Sequence, residues 1–137
     1  MTMSGRQRRR KGHDAERKCA QILRSHMPEI AETIRRGWQN RLGVDDPDVC
    51  GLPGFWIEHK HGKQPNIRAA LRQARVAAKG RCMPVAIILD NHSRERMACL
   101  NLTDFLRVLR AAYGYTPPLK FGVQGELFEV ESEEVAE

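Results

Sequence analysis

From His13 onward the apolar positions Ala15, Cys19, Ile22 and Leu23, with Ala20 beside them, recur at helical spacing, and Pro28 follows soon after. That pattern predicts a helix over about 14–26. Asp14 and Glu16 near its start suit the positive end of the helix dipole. The preceding Arg6, Arg8, Arg9, Arg10 and Lys11 show no apolar periodicity, so residues 1–11 are expected to form a flexible basic arm. Ala31 to Trp38 carries a weak alternation that reads as a strand ended by Gly37. Asp45-Asp46-Pro47 then reads as a turn, Asp48-Val49-Cys50 as a short strand, and Phe55 to Lys60 as a strand rich in strand formers. Leu52-Pro53-Gly54 connects the last two. If it forms a three-residue hairpin loop, Gly51 pairs with Phe55 and Asp48 stands opposite Glu58, both side chains on one face.

Beyond a turn around 62–66, Ile67, Ala70, Leu71, Ala74, Ala77 and Ala78 again follow a helical period until Gly80 stops it. Pro84 to Leu89 is a continuous apolar run bounded by Asp90-Asn91, the pattern of a central strand covered on both faces. A further strand is expected over 97–100 and a helix over 103–112, with Phe105, Leu106 and Leu109 apolar. The order of helix, three strands, helix, strand, strand, helix implies an α/β fold, a mixed sheet flanked by helices. A single domain over 12–125 and an acidic tail over 126–137 complete the expected organisation.

The chain has 137 residues, near the usual size of one domain, and 41% of them are hydrophobic, an ordinary share for a soluble core. No apolar run is long enough for a membrane span, and the basic N-terminus lacks the apolar stretch of a secretory signal, so a cytoplasmic protein is expected. Cys19, Cys50, Cys82 and Cys99 are spread singly, which favours reduced thiols over a disulfide framework or an assembled zinc site. Charge changes the picture more. The net charge of +6 is uneven: residues 1–80 hold 17 Lys/Arg against 8 Asp/Glu, whereas residues 81–137 hold 6 against 9. A basic half of this kind suits a polyanion, nucleic acid above all, although a solubilising surface would carry the same signature.

Between Pro47 and Lys60 the expected hairpin supplies an Asp, then a Glu, one intervening residue and a Lys. Strand side chains alternate, so Glu58 and Lys60 share a face while His59 points to the other. Two carboxylates and an ammonium then converge. Carboxylate oxygens are hard ligands suited to Mg²⁺, and a neighbouring ammonium can orient a water or stabilise developing charge, which is the equipment of phosphodiester hydrolysis. Glu-x-Lys alone is common, and Asp48 as a turn carboxylate with Glu58 and Lys60 paired along an exposed strand is the plain alternative.

Pro47-Asp48 and Glu58-His59-Lys60 together resemble the PD-(D/E)xK nuclease superfamily, and within it the small Holliday junction resolvases of archaea and phages. The resemblance spans roughly 12–89. It extends to Glu16 on the first helix, where related resolvases carry an acidic residue that assists metal binding, and to Gln73, where many relatives carry a glutamine or lysine. It implies a restriction-endonuclease-like αβββαβ core, Mg²⁺ or Mn²⁺ as cofactor, branched DNA as substrate and a homodimer. It further implies a metal held by Asp48, Glu58, Glu16 and the backbone carbonyl of His59, with Lys60 and Gln73 completing the catalytic set. The final third of the chain has no counterpart in it. Viral replication-repair and restriction-like nucleases share the motif order and are an alternative, as is a non-catalytic nucleic-acid-binding module of another class.

Other residues carry two readings each. Glu16 and Gln73 can equally be solvent-facing positions of amphipathic helices. His59 and His61 share outward parity, which makes phosphate contact or simple exposure the expectation rather than catalysis. Trp56 is expected to pack in the core, whereas Trp38, among Arg35, Arg36 and Arg41, is the better candidate for stacking on bases. Those arginines, with Arg8, Arg9, Arg10, Lys11, Lys63, Arg68 and Arg72, are expected backbone contacts to DNA.

Overall fold

A reciprocal cap opens the first helix. The Ser4 hydroxyl accepts from the Gln7 N–H at 3.3 Å and the Gln7 side chain accepts from the Ser4 N–H at 2.9 Å, and α1 runs from there as Gly5–His26. The computed structural model describes residues 2–38 and 46–115, together with the strand backbones 119–121 and 127–129. The basic segment expected to be an unstructured arm is therefore helical from Gly5 onward. Its apolar period is absent because every residue from Arg6 to Lys11 is exposed.

A 3-10 helix, Pro28–Thr33, follows, so the strand expected from Ala31 is reduced to β1 (Arg35–Arg36). Pro28 starts that turn with its fixed backbone angle, and Ile34 drops into the core behind it. β2 (Val49–Cys50) and β3 (Phe55–Gly62) form the hairpin, α2 (Ile67–Ala78) crosses over, and β4 (Met83–Asp90), β5 (Met97–Cys99) and α3 (Leu102–Ala112) complete the order. The five strands make one mixed sheet in the order β1-β2-β3-β4-β5, with β3 and β4 parallel and the other neighbours antiparallel. β6 (Leu119–Phe121) and β7 (Leu127–Glu129) pair separately as an antiparallel hairpin, and β7 falls inside the segment expected to be tail, where Leu127-Phe128 interrupts the acidic run.

Helices cover both faces. Cys19 and Ala20 of α1 pack with Ile34, Val49, Ile57, Val85 and Ile87 on one, while Ala70 of α2 packs with Ala86 and Ile88 on the other. The alanine stripe Ala70, Ala74 and Ala78 lets α2 lie close on β3 and β4, and the Asn66 side chain caps its start by accepting from the Ala69 N–H at 3.0 Å. Val49 pairs with Ile57, which places Asp48 opposite Glu58 as the three-residue loop requires. Gly51 closes that loop in the left-handed region, at φ +91°, where a Cβ would collide with the Thr33 carbonyl. Among the described residues no helix is long and apolar enough to cross a membrane.

Candidate active site

β3 presents alternate residues to opposite faces, and its C-terminal half carries the polar ones. Glu58 shares a face with Ala86 and α2, and Asp48, at the start of β2, lies beside it. Both carboxyl groups are buried. Asp48 Oδ2 accepts from the His59 backbone N–H at 2.8 Å, which fixes the aspartate across the hairpin. The two carboxyls lie close enough for each to influence the ionisation of the other.

Burial pushes the Glu58 carboxyl up to about 7; the neighbouring Asp48 charge adds to this and Lys60 opposes it. Burial raises Asp48 as well, against the lowering influence of the His59 N–H and the Lys60 charge. The Lys60 ammonium lies 3.5 Å from Glu58 Oε1 and donates to Gln73 Oε1 at 3.0 Å. Gln73, on α2, thus reaches the site from the helix that covers this face.

Glu16, on α1, has its pKa raised by burial, to which the Asp48 charge adds, but its nearest partner is Arg36: the guanidinium Nε donates to Glu16 Oε2 at 2.8 Å. Arg36 is therefore half-buried in an ion pair rather than free on a DNA-facing surface. Its pairing with Glu16 could not be read from the sequence, where the two lie twenty residues apart.

His59 is a correction. It is neither exposed nor placed for phosphate, but buried on the α1 face, where Arg96 Nε donates to its Nε2 at 3.1 Å. Burial lowers its pKa to about 4, helped by the Arg96 charge, so the ring is a neutral acceptor. Arg96 also donates to the Ala15 carbonyl at 3.1 Å, tying the β4–β5 connection to α1. No local sequence signal marks Arg96, since its partners are remote in the chain. His61 is half-buried near Lys11, so the basic turns of α1 approach the C-terminal end of β3.

Trp56 is half-buried on the Glu58 face, and its enclosed Nε1 has no hydrogen-bond partner among the described residues. Trp38 is 75% exposed, and Arg8, Arg9, Arg10, Lys11, Arg35, Lys63, Arg68 and Arg72 are exposed too. Arg41 lies outside the described residues. The four cysteines are free thiols, with Cys19 buried and the others half-buried.

Among the described residues no three His, Cys, Asp or Glu side chains are grouped so as to hold a metal ion. What the site offers is a pair, Asp48 and Glu58, with Glu16 engaged by Arg36. A pair fits Mg²⁺, which keeps several waters and takes only one or two protein carboxylates. Two neighbouring buried carboxyls, one raised to about 7 by burial and by the charge of the other, are also a donor set whose repulsion a divalent cation relieves. Comparison with protein-family models, with curated proteins and with solved structures finds no match to this chain.

Proposed function

We propose that the chain is a metal-dependent DNA endonuclease of the PD-(D/E)xK type, with a restriction-endonuclease-like core, acting on branched DNA inside the cell. One observation carries this reading: Asp48 and Glu58 are buried side by side on the hairpin while Lys60, two residues on, stays beside Glu58 and is held by Gln73. A structural ion pair has no need of a second buried carboxyl, because burying it without a cation or proton costs several kcal/mol, of the order found for uncompensated buried charges.

Asp48 and Glu58 would hold Mg²⁺ or Mn²⁺, with the His59 carbonyl and Glu16 as further donors. The chemistry such an ion supplies is polarisation of a phosphate oxygen and acidification of water. The chain's own residues do the rest. The His59 N–H holds Asp48 in place, Gln73 orients the Lys60 ammonium, and Lys60 offers a positive charge where the phosphate becomes more negative. Arg36 holds Glu16 at the rim and restrains its approach to the pair.

Paired cutting of a four-way junction requires two sites related by a two-fold axis, and α3 suits a homodimer contact: it buries no residue and exposes Leu102, Phe105 and Leu106. The functional test is incubation with Mg²⁺, Mn²⁺ or chelator and a panel of labelled linear, nicked, flap and four-way DNAs. Metal-dependent cleavage with preference for four-way DNA is expected. Cleavage of flaps or ends alone selects a replication-repair or restriction-like nuclease, and tight binding with no cleavage in either metal selects a binding module.

A further inference from the structure

Gln73 is on the flank of α2 that meets Lys60. The opposite flank is lined by arginines. Arg68, Arg72 and Arg75, with Leu71 at their centre and Asn101 at the start of α3, line an open cleft of about 190 Å³. At 3.6 residues per turn these four α2 positions cluster roughly 150° around the helix from Gln73, with the alanine stripe against the sheet between them. The cleft and the Gln73–Lys60 contact therefore lie on different flanks of α2.

Two helical arginines elsewhere have an acidic partner one turn away. Arg17 pairs with Asp14 and Arg107 with Asp104. Arg68, Arg72 and Arg75 have no acidic partner among the described residues, although like charges three and four residues apart destabilise a helix. The Asn101 side chain makes no cap bond to α3 and leaves its amide for the cleft. From Arg68 to Arg75 the positive groups form a row about 10 Å long at 1.5 Å per residue. A row matches a linear polyanion better than a single small anion, since it covers about three steps of a strand at 3.4 Å each.

We propose that this cleft is a second nucleic-acid groove, in which Arg68, Arg72, Arg75 and Asn101 grip the sugar-phosphate backbone of a strand approaching from the side of α2. The inference rests on the proposed DNA substrate and adds to it where a neighbouring strand or arm is held. Arg75 and Asn101 join Arg68 and Arg72 here through the shared cleft.

The test is anisotropy titration of labelled four-way and linear duplex DNA, in chelator, across a range of salt. It compares wild type, the triple variant Arg68→Gln, Arg72→Gln and Arg75→Gln, and a control with the same charge loss on other exposed positions, Lys18→Gln, Lys79→Gln and Arg94→Gln. The triple variant is expected to bind about tenfold more weakly or worse, and to flatten the slope of log K against log salt by up to about 0.9 for each of the three arginines, while the control stays close to wild type. Should the triple variant fail to fold, as judged by circular dichroism, Arg72→Gln alone is expected to flatten the slope by about 0.9. Equal affinities and slopes for variant and control overturn the groove, and if the wild type still cleaves DNA in Mg²⁺ the active-site reading survives. No DNA binding by the wild type overturns both.

Discussion

Glu58 and His59 are neighbours on β3, both buried, and both pushed toward their neutral forms by that burial, yet their surroundings differ. Burial raises the acid of one to about 7 and lowers the base of the other to about 4. His59 faces α1, and its ring nitrogen accepts from Arg96, which also holds the backbone of α1. Glu58 faces a second carboxyl and a half-exposed lysine, the set that the proposed cation would enter. Burial alone does not distinguish a scaffold from a site; what distinguishes them is whether the neighbouring groups satisfy the buried one without outside help.

The largest effect should come from breaking the Glu58 side. Asp48→Asn and Glu58→Gln are each expected to abolish detectable cleavage while DNA binding, measured in chelator, stays unchanged or tightens as repulsion of phosphate is relieved. Lys60→Ala should lower the single-turnover rate by about 10²–10³, the range for loss of one group that stabilises developing charge.

The next effect is on stability in the metal-free protein. Glu58 keeps its proton to about pH 7 when folded, against 4.5 for an ordinary glutamate, so its ionisation removes stability as pH rises through that window, by about 3 kcal/mol in all. His59 acts in the opposite sense: protonation, resisted down to about pH 4 in the fold against 6.5 for an ordinary histidine, removes stability as pH falls through that range. Denaturant unfolding across pH should therefore show Glu58→Gln gaining on the wild type between about pH 4.5 and 7. A constant difference would mean that Glu58 is already ionised in the fold.

A smaller loss is expected on the His59 side. Arg96→Ala leaves the His59 acceptor and the Ala15 carbonyl without their donor, which should cost about 1–3 kcal/mol of stability, with cleavage by the folded fraction within a few-fold of wild type. A loss of cleavage as deep as that of Asp48→Asn would erase the contrast between the two faces. The smallest change should follow deletion of residues 2–11: weaker DNA binding and a shallower salt dependence, by about 0.9 for each phosphate that the shortened helix no longer neutralises. An unchanged slope would mean that the basic turns of α1 do not touch DNA.

Features fixed by local chemistry were legible in the sequence. α2 begins at the Asn66 cap and ends before Gly80, and the short loop between β2 and β3 set Asp48 against Glu58. Features set by remote contacts were not. His59 is buried because Arg96, far along the chain, reaches it, and Glu16 meets Arg36 across the fold. The start of α1 is an intermediate case: apolar periodicity misses it, yet Ser4-x-x-Gln7 is a capping box that sequence alone displays.

The central claim, that the Glu58 face is a divalent-metal site and the His59 face is scaffold, is tested most directly by calorimetric titration of Mn²⁺ into wild type, Asp48→Asn, Glu58→Gln and Arg96→Ala without DNA. Binding by the wild type, retained in Arg96→Ala and weakened at least about tenfold in both carboxyl variants, is the expected result. Equal Mn²⁺ affinity in all four proteins, or loss in Arg96→Ala alone, would contradict it.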